Sequence, residues 1–109
     1  GVKVEDDAEG VLQDTHWSGG SFGYFPSYAL GNIYSGMFLE RMEEDVAGWR
    51  ESIRKGDFSP VLRWLRANVH SKGDLYDPAD LIKEVTGKEM SVAPFLGYLE
   101  RKMSMIYGF

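Results

Sequence analysis

Cysteine is absent from this chain of 109 residues. That excludes disulfides and thiolate metal sites, and it fits a reducing cytoplasm, the expected location. Histidine is scarce: His16 and His70 stand alone and far apart. No H-E-x-x-H is present, and a catalytic metal site takes three protein ligands and an open position, so no metal site within the chain is expected. Basic residues are outnumbered, 12 Lys and Arg against 17 Asp and Glu, for a net charge of −5. That balance opposes a phosphate backbone, so no nucleic-acid partner is expected. No apolar run reaches the ~18 residues of a membrane span, and no membrane partner is expected. The start, Gly1 to Asp7, has neither the basic nor the apolar region of a signal peptide. Without an initiator methionine, the chain is expected to be processed or cut from something longer. Gly-x-Ser-x-Gly elbows, P-loops and dinucleotide fingerprints are missing too.

What is present is the composition of a globular chain: 43% hydrophobic, 27% charged and 14% aromatic. This length allows a single segment with one modest core. Nothing alternates with period two over a useful length, so the fold class is all-α, with four helices, or five if the longest breaks. Residues 1 to 10 read as an acidic loop, and residues 18 to 23 as a glycine-rich turn. The first helix is expected over residues 26 to 49, opened by Pro26. Its first half, Tyr28 to Phe38, is apolar on most faces, which predicts burial on most faces. Arg41 and Asp45 are spaced to pair at i,i+4. Gly48 or Gly56 is placed to break or end the helix.

Three further helices are punctuated by their caps. Over residues 60 to 71, Ser59 reads as N-cap, with Phe58, Val61, Leu62, Leu65 and Val69 as the inward stripe. Over 78 to 86, Asp77 caps, Leu81, Ile82 and Val85 face inward, and Gly87 ends the helix. Over 92 to 107, Ser91 starts and Pro94 sits in the first turn. Phe95, Leu99, Met103 and Ile106 form its stripe, and Gly108 stops it. Arg63, Trp64 and Arg66 read as a helix face rather than an RNA platform. His70 complements a helix end, and Glu43-Glu44-Asp45 reads as a solvated face.

Chemistry concentrates in residues 10 to 17, just before the glycine-rich turn. His16 has two readings: a histidine hydrogen-bonded within the core, or a donor to a carbonyl oxygen on which negative charge develops. Asp14 and Gln13 are placed to hold its ring in one tautomer, and Trp17 to exclude water. Tyr24 is either a packing residue at a loop–helix junction or a second donor to the same oxygen. Tyr28, one turn on, could share that role or orient Tyr24. A phenol titrates near pH ~10, so neither tyrosine is a base.

Gly10-Val11-Leu12-Gln13-Asp14-Thr15-His16-Trp17 resembles the G-x-x-Q-D-x-H-W signature of the thermostable zinc carboxypeptidases of the carboxypeptidase Taq type. The resemblance continues through Gly23-Tyr24-Phe25-Pro26-Ser27-Tyr28 and Phe58-Ser59-Pro60-Val61. It extends to Tyr76-Asp77-Pro78-Ala79 and Pro94-Phe95-Leu96-Gly97-Tyr98-Leu99, and so covers essentially the whole chain. Met37 departs from the glutamine common at its position, which concerns packing.

The resemblance implies an all-helical, homodimeric, zinc-dependent enzyme that releases amino acids one at a time from peptide C-termini. Its zinc would be held by H-E-x-x-H and a later glutamate, all upstream. The chain then corresponds to a C-terminal segment, inactive alone. Angiotensin-converting-enzyme-type peptidases, which the family resembles, set a histidine and a downstream tyrosine against the scissile carbonyl oxygen. That analogy implies His16 and Tyr24 as catalytic donors, with Gln13, Asp14, Trp17 and Tyr28 binding substrate. The alternative is a stand-alone, non-catalytic helical module that self-associates or binds peptides. Either way a homo-oligomer is expected.

Overall fold

A computed structural model describes residues 3–109; Gly1 and Val2, at the start of the expected acidic loop, lie outside the described residues. The described residues form five α-helices and no strand: α1 Phe25–Asp45, α2 Trp49–Arg54, α3 Ser59–Asn68, α4 Pro78–Thr86 and α5 Ala93–Tyr107. Two short 3-10 turns, Val11–Gln13 and His70–Lys72, precede α1 and follow α3. The chain divides into two compact units, Gly1–Leu30 and Gly31–Phe109, with the division inside α1. No helix among the described residues is long and apolar enough to cross a membrane.

The expected helix over 26 to 49 is shorter, and the five-helix alternative holds. It ends at Asp45, and Gly48 adopts the left-handed conformation, φ +74°, before α2 begins. A side chain at that φ would be strained, so glycine sets the break. The cap at Ser59 is also corrected. Ser59 is the first residue of α3, and its N–H donates to Asp57 Oδ1 at 2.9 Å. Two interactions with Ser59, the hydroxyl's first and the backbone N–H's second, pull the Asp57 carboxyl below its usual range. The helix expected over 60 to 71 passes into the 3-10 turn after Asn68, whose Nδ2 donates to the Trp64 carbonyl at 3.0 Å. Ser91 lies before α5, where its hydroxyl accepts the Ala93 N–H at 3.2 Å. Asp77 does precede α4, without a side-chain capping bond.

The core of the second unit is small. Met37 and Met42 from α1, Trp64 from α3 and Ile82 from α4 are its buried apolar side chains. The stripe expected on α3 holds in part, with Val61, Leu65 and Val69 half-buried beside Trp64. Phe58 and Leu62 are exposed, and the buried face belongs to Trp64. Within the helix face expected at Arg63, Trp64 and Arg66, Trp64 is therefore the core residue. On α5, Phe95, Leu99 and Met103 are half-buried but Ile106 is exposed. On α4, Ile82 is buried and Leu81 and Val85 half-buried, as the periodicity predicts.

Polar contacts lock this core. The buried Thr86 hydroxyl donates to the Ile82 carbonyl at 2.7 Å and accepts the Lys88 N–H at 3.2 Å. Arg41 pairs with Asp45 at 2.9 Å, the expected i,i+4 bridge. Lys88 reaches Glu40 on α1 at 2.7 Å, and that carboxylate raises the Lys88 pKa. α5 meets α1 at Gly36, where an added Cβ would lie 2.7 Å from Phe95 Cα. Met37, fully buried, fits the packing role expected of it.

Candidate functional site

The signature segment is folded by its own side chains. Asp14 Oδ1 accepts the backbone N–H of His16 at 2.8 Å, a turn that short acidic side chains form readily. The same oxygen lies 3.2 Å from His16 Nδ1. A carboxylate only accepts hydrogen bonds, so Nδ1 carries the proton in that contact. After His16 the chain reverses: the Ser21 N–H donates to the His16 carbonyl at 2.7 Å, and the Gly19 N–H to Thr15 at 3.0 Å. Gly23, at φ +74°, then turns the backbone into α1.

That reversal gathers three aromatic rings on the imidazole. Tyr24 lies over it, centroids 5.5 Å apart and planes 25° apart. Phe25 packs at 5.1 Å with a 54° tilt. Tyr28 meets it edge-on, at 88°, and its hydroxyl lies 3.1 Å from Nε2. Tyr24 and Tyr28 touch each other at 5.4 Å, as residues four apart across a helix start do. His16 retains 30% of its side-chain exposure, enough for a ligand to reach it.

Asp14, His16, Tyr24 and Tyr28 are thus brought together. Two other predicted site residues are not. Gln13 donates from Nε2 to the Ala8 carbonyl at 2.5 Å, bracing the acidic loop. Trp17 is 56% exposed and stacks on Phe22, centroids 6.4 Å apart. The wall beside His16 is Phe25, which the sequence reading missed. Its signal was the spacing to Tyr28, three residues on and so on the same helical side. The direct bond of Tyr28 to His16 was missed as well, because twelve residues separate them.

No group of three or more His, Asp or Glu side chains among the described residues is placed to hold a metal ion. A cavity of about 620 Å³ in the second unit is lined by Met37, Glu40, Lys88, Pro94 and Arg101 among others, and contains none of the predicted site residues.

Fold and site together define an all-helical protein that presents a carboxylate-anchored histidine among tyrosines. The chain belongs to the carboxypeptidase Taq (M32) metallopeptidase family, whose family model matches residues 1–103. It is 44% identical over 108 residues to thermostable carboxypeptidase 1 of Thermus thermophilus, covering 99% of this chain and 21% of that protein. Its structure superposes on the BsuCP crystal structure with a TM-score of 0.87 at 43% identity, covering 97% of this chain and 21% of that one. For the M32 carboxypeptidase of Deinococcus radiodurans R1 the TM-score is 0.83 at 34% identity, with 99% of this chain and 22% of that one covered. The chain therefore spans about a fifth of the length of the relatives it matches.

Proposed function

We propose that this chain is the C-terminal portion of a zinc-dependent carboxypeptidase that releases C-terminal amino acids from peptides, and that it supplies one wall of the active site. The observation that carries this reading is the anchored imidazole. Asp14 holds Nδ1, so Nε2, which meets the Tyr28 hydroxyl in the structure, is the ring atom that a substrate oxygen would reach by replacing that hydroxyl. As a donor to that oxygen, His16 acts with protons on both ring nitrogens, and the Asp14 carboxylate is the counter-charge. Tyr24, stacked on the ring, carries the second donor hydroxyl. Tyr28, which meets the ring edge, belongs to the substrate-binding surface beside it.

In this reading, metal binding belongs to other segments of the whole enzyme. The isolated chain accordingly does not hydrolyse peptides. The whole enzyme is a cytoplasmic homodimer in this reading.

The test uses an intact relative such as the Thermus thermophilus enzyme. Changing the histidine equivalent to His16 to Ala should lower turnover by about a hundredfold or more, the usual consequence of losing an oxyanion donor, with metal content unchanged. A loss under tenfold removes His16 from the mechanism. Changing the tyrosine equivalent to Tyr24 to Phe tests the second donor in the same way.

One observation favours a second reading, a non-catalytic module that self-associates. Val11, Leu12, Trp17 and Phe22 are all exposed in the first unit. Apolar surface of that kind finds a partner, either the remaining four-fifths of a full-length enzyme or another copy of this chain.

A further inference from the structure

Two aromatic hydroxyls lie near His16, and the geometry separates their roles. A ring nitrogen makes hydrogen bonds in the plane of the imidazole, along its lone pair or its N–H. Tyr24 is stacked at 25° over the face, a position suited to packing rather than to meeting a ring nitrogen. Tyr28 approaches the edge at 88°, and its Oη lies 3.1 Å from Nε2. The other ring nitrogen is already committed to Asp14. Both in-plane positions of the imidazole are therefore held by protein groups.

We propose that Tyr28 is a positioning residue for His16, holding the ring plane and its tautomer through Nε2 until a ligand oxygen replaces the Tyr28 hydroxyl at that nitrogen. In the neutral ring, Nδ1 carries the proton and Nε2 presents a lone pair, so the Tyr28 hydroxyl donates. When Nε2 is also protonated, the same hydroxyl turns and accepts. A phenol oxygen serves both states without moving, because a hydroxyl is donor and acceptor at once. The ring plane then stays fixed while its protonation changes. Tyr28 sits on the first turn of α1, and Asp14 is tied to the backbone of His16, so both holders are anchored to folded backbone. The functional consequence rests on the proposed role of His16, but the contact itself does not.

Nitrogen-15 NMR of the imidazoles in the 109-residue chain tests this, with His70 as the internal reference. In the unsubstituted chain, neutral His16 should populate the Nδ1–H tautomer, with an Nε2 resonance shifted by an accepted hydrogen bond. Tyr28→Phe keeps the ring and removes the hydroxyl. It should lower the ratio of Nδ1–H to Nε2–H tautomer by roughly two- to tenfold, the range that losing one ordinary hydrogen bond implies. It should also abolish the hydrogen-bond shift at Nε2. Tyr24→Phe should leave both signals in place. The proposal is overturned if unsubstituted His16 is mainly Nε2–H, a result that needs no variant to fold. It is equally overturned if Tyr28→Phe, with helix content retained by circular dichroism, leaves Nε2 unchanged. Neither result touches the turnover test of His16 in an intact relative. Conversely, full turnover after removal of that histidine would end the catalytic reading and leave the Tyr28 contact standing.

Discussion

The indole Nε1 of Trp64 donates to Oδ2 of Asp45 at 2.8 Å, joining α3 to the end of α1. Trp64 is 7% exposed and is among the few apolar side chains that the second unit buries. Its bond to Asp45, with Arg41 contributing less, holds that carboxyl below the usual carboxylate range. Trp64→Ala should therefore remove both a core ring and a tertiary hydrogen bond. A destabilisation of about 3–5 kcal/mol is expected from the cavity, measured by urea denaturation. Trp64→Phe should cost less, since most of the volume remains.

Two glycines of α1 should respond oppositely to the same substitution. At Gly36 an added Cβ would lie 2.7–2.8 Å from Phe95 backbone and Cβ atoms, so α5 would have to shift. Overpacking of that kind costs about 1–3 kcal/mol. At Gly31 a Cβ meets nothing within 4 Å. There Ala gains helix propensity, and stabilisation of about 0.5–1 kcal/mol is expected. Thermal melts of Gly36→Ala and Gly31→Ala would separate the two effects.

Stability should fall at both ends of the pH scale for different reasons. Asp45 is depressed by Trp64 and then Arg41, and Asp57 by Ser59. Their contribution is complete above the unfolded carboxylate value near ~3.9 and is lost as pH falls through the lower folded value. Lys88, raised by Glu40, and Lys83, raised by Glu89, behave in reverse. Their contribution is complete below the unfolded value near ~10.4 and is lost as pH rises through the higher folded one. Melting temperature against pH should show a shallower acid limb in Asp45→Asn and a shallower alkaline limb in Lys88→Met. All four groups are solvent-accessible, so added salt should reduce the effects of the ion pairs.

The isolated chain should self-associate. Trp17 and Phe22, stacked on each other, are 56% and 76% exposed, with Val11 and Leu12 nearby in sequence. Light scattering should report a dimer or larger species, and Trp17→Ser with Phe22→Ser should shift it toward monomer. A monodisperse monomer of the unsubstituted chain would contradict this.

Much of the fold was legible because local rules act on adjacent residues. The absence of period-two patterning and the helical spacing of α4 left an all-helical chain as the answer. Gly48, Gly87 and Gly108 mark a helix break and two helix ends, because each carries a positive φ that other residues avoid. The signature segment was legible too, since Asp14 and His16 are two residues apart and their hydrogen bonds are local. The edge of the buried face of α3 was not. Phe58 and Leu62 have the spacing of a buried face, but which face is covered depends on where α1 lies.

The sequence by itself determined the helices, their glycine stops and the pairing of Asp14 with His16. Each of those follows from backbone torsion or from hydrogen bonds within a few residues. Only the tertiary structure decided that Trp64 rather than Leu62 is buried, because burial depends on neighbours distant in sequence. It also decided that Tyr28 meets Nε2 of His16 while Tyr24 covers the ring face. Those two tyrosines are equivalent in chemistry and differ by one helical turn. The chain reversal between Thr15 and Gly23 sets which of their hydroxyls lies in the plane of the imidazole.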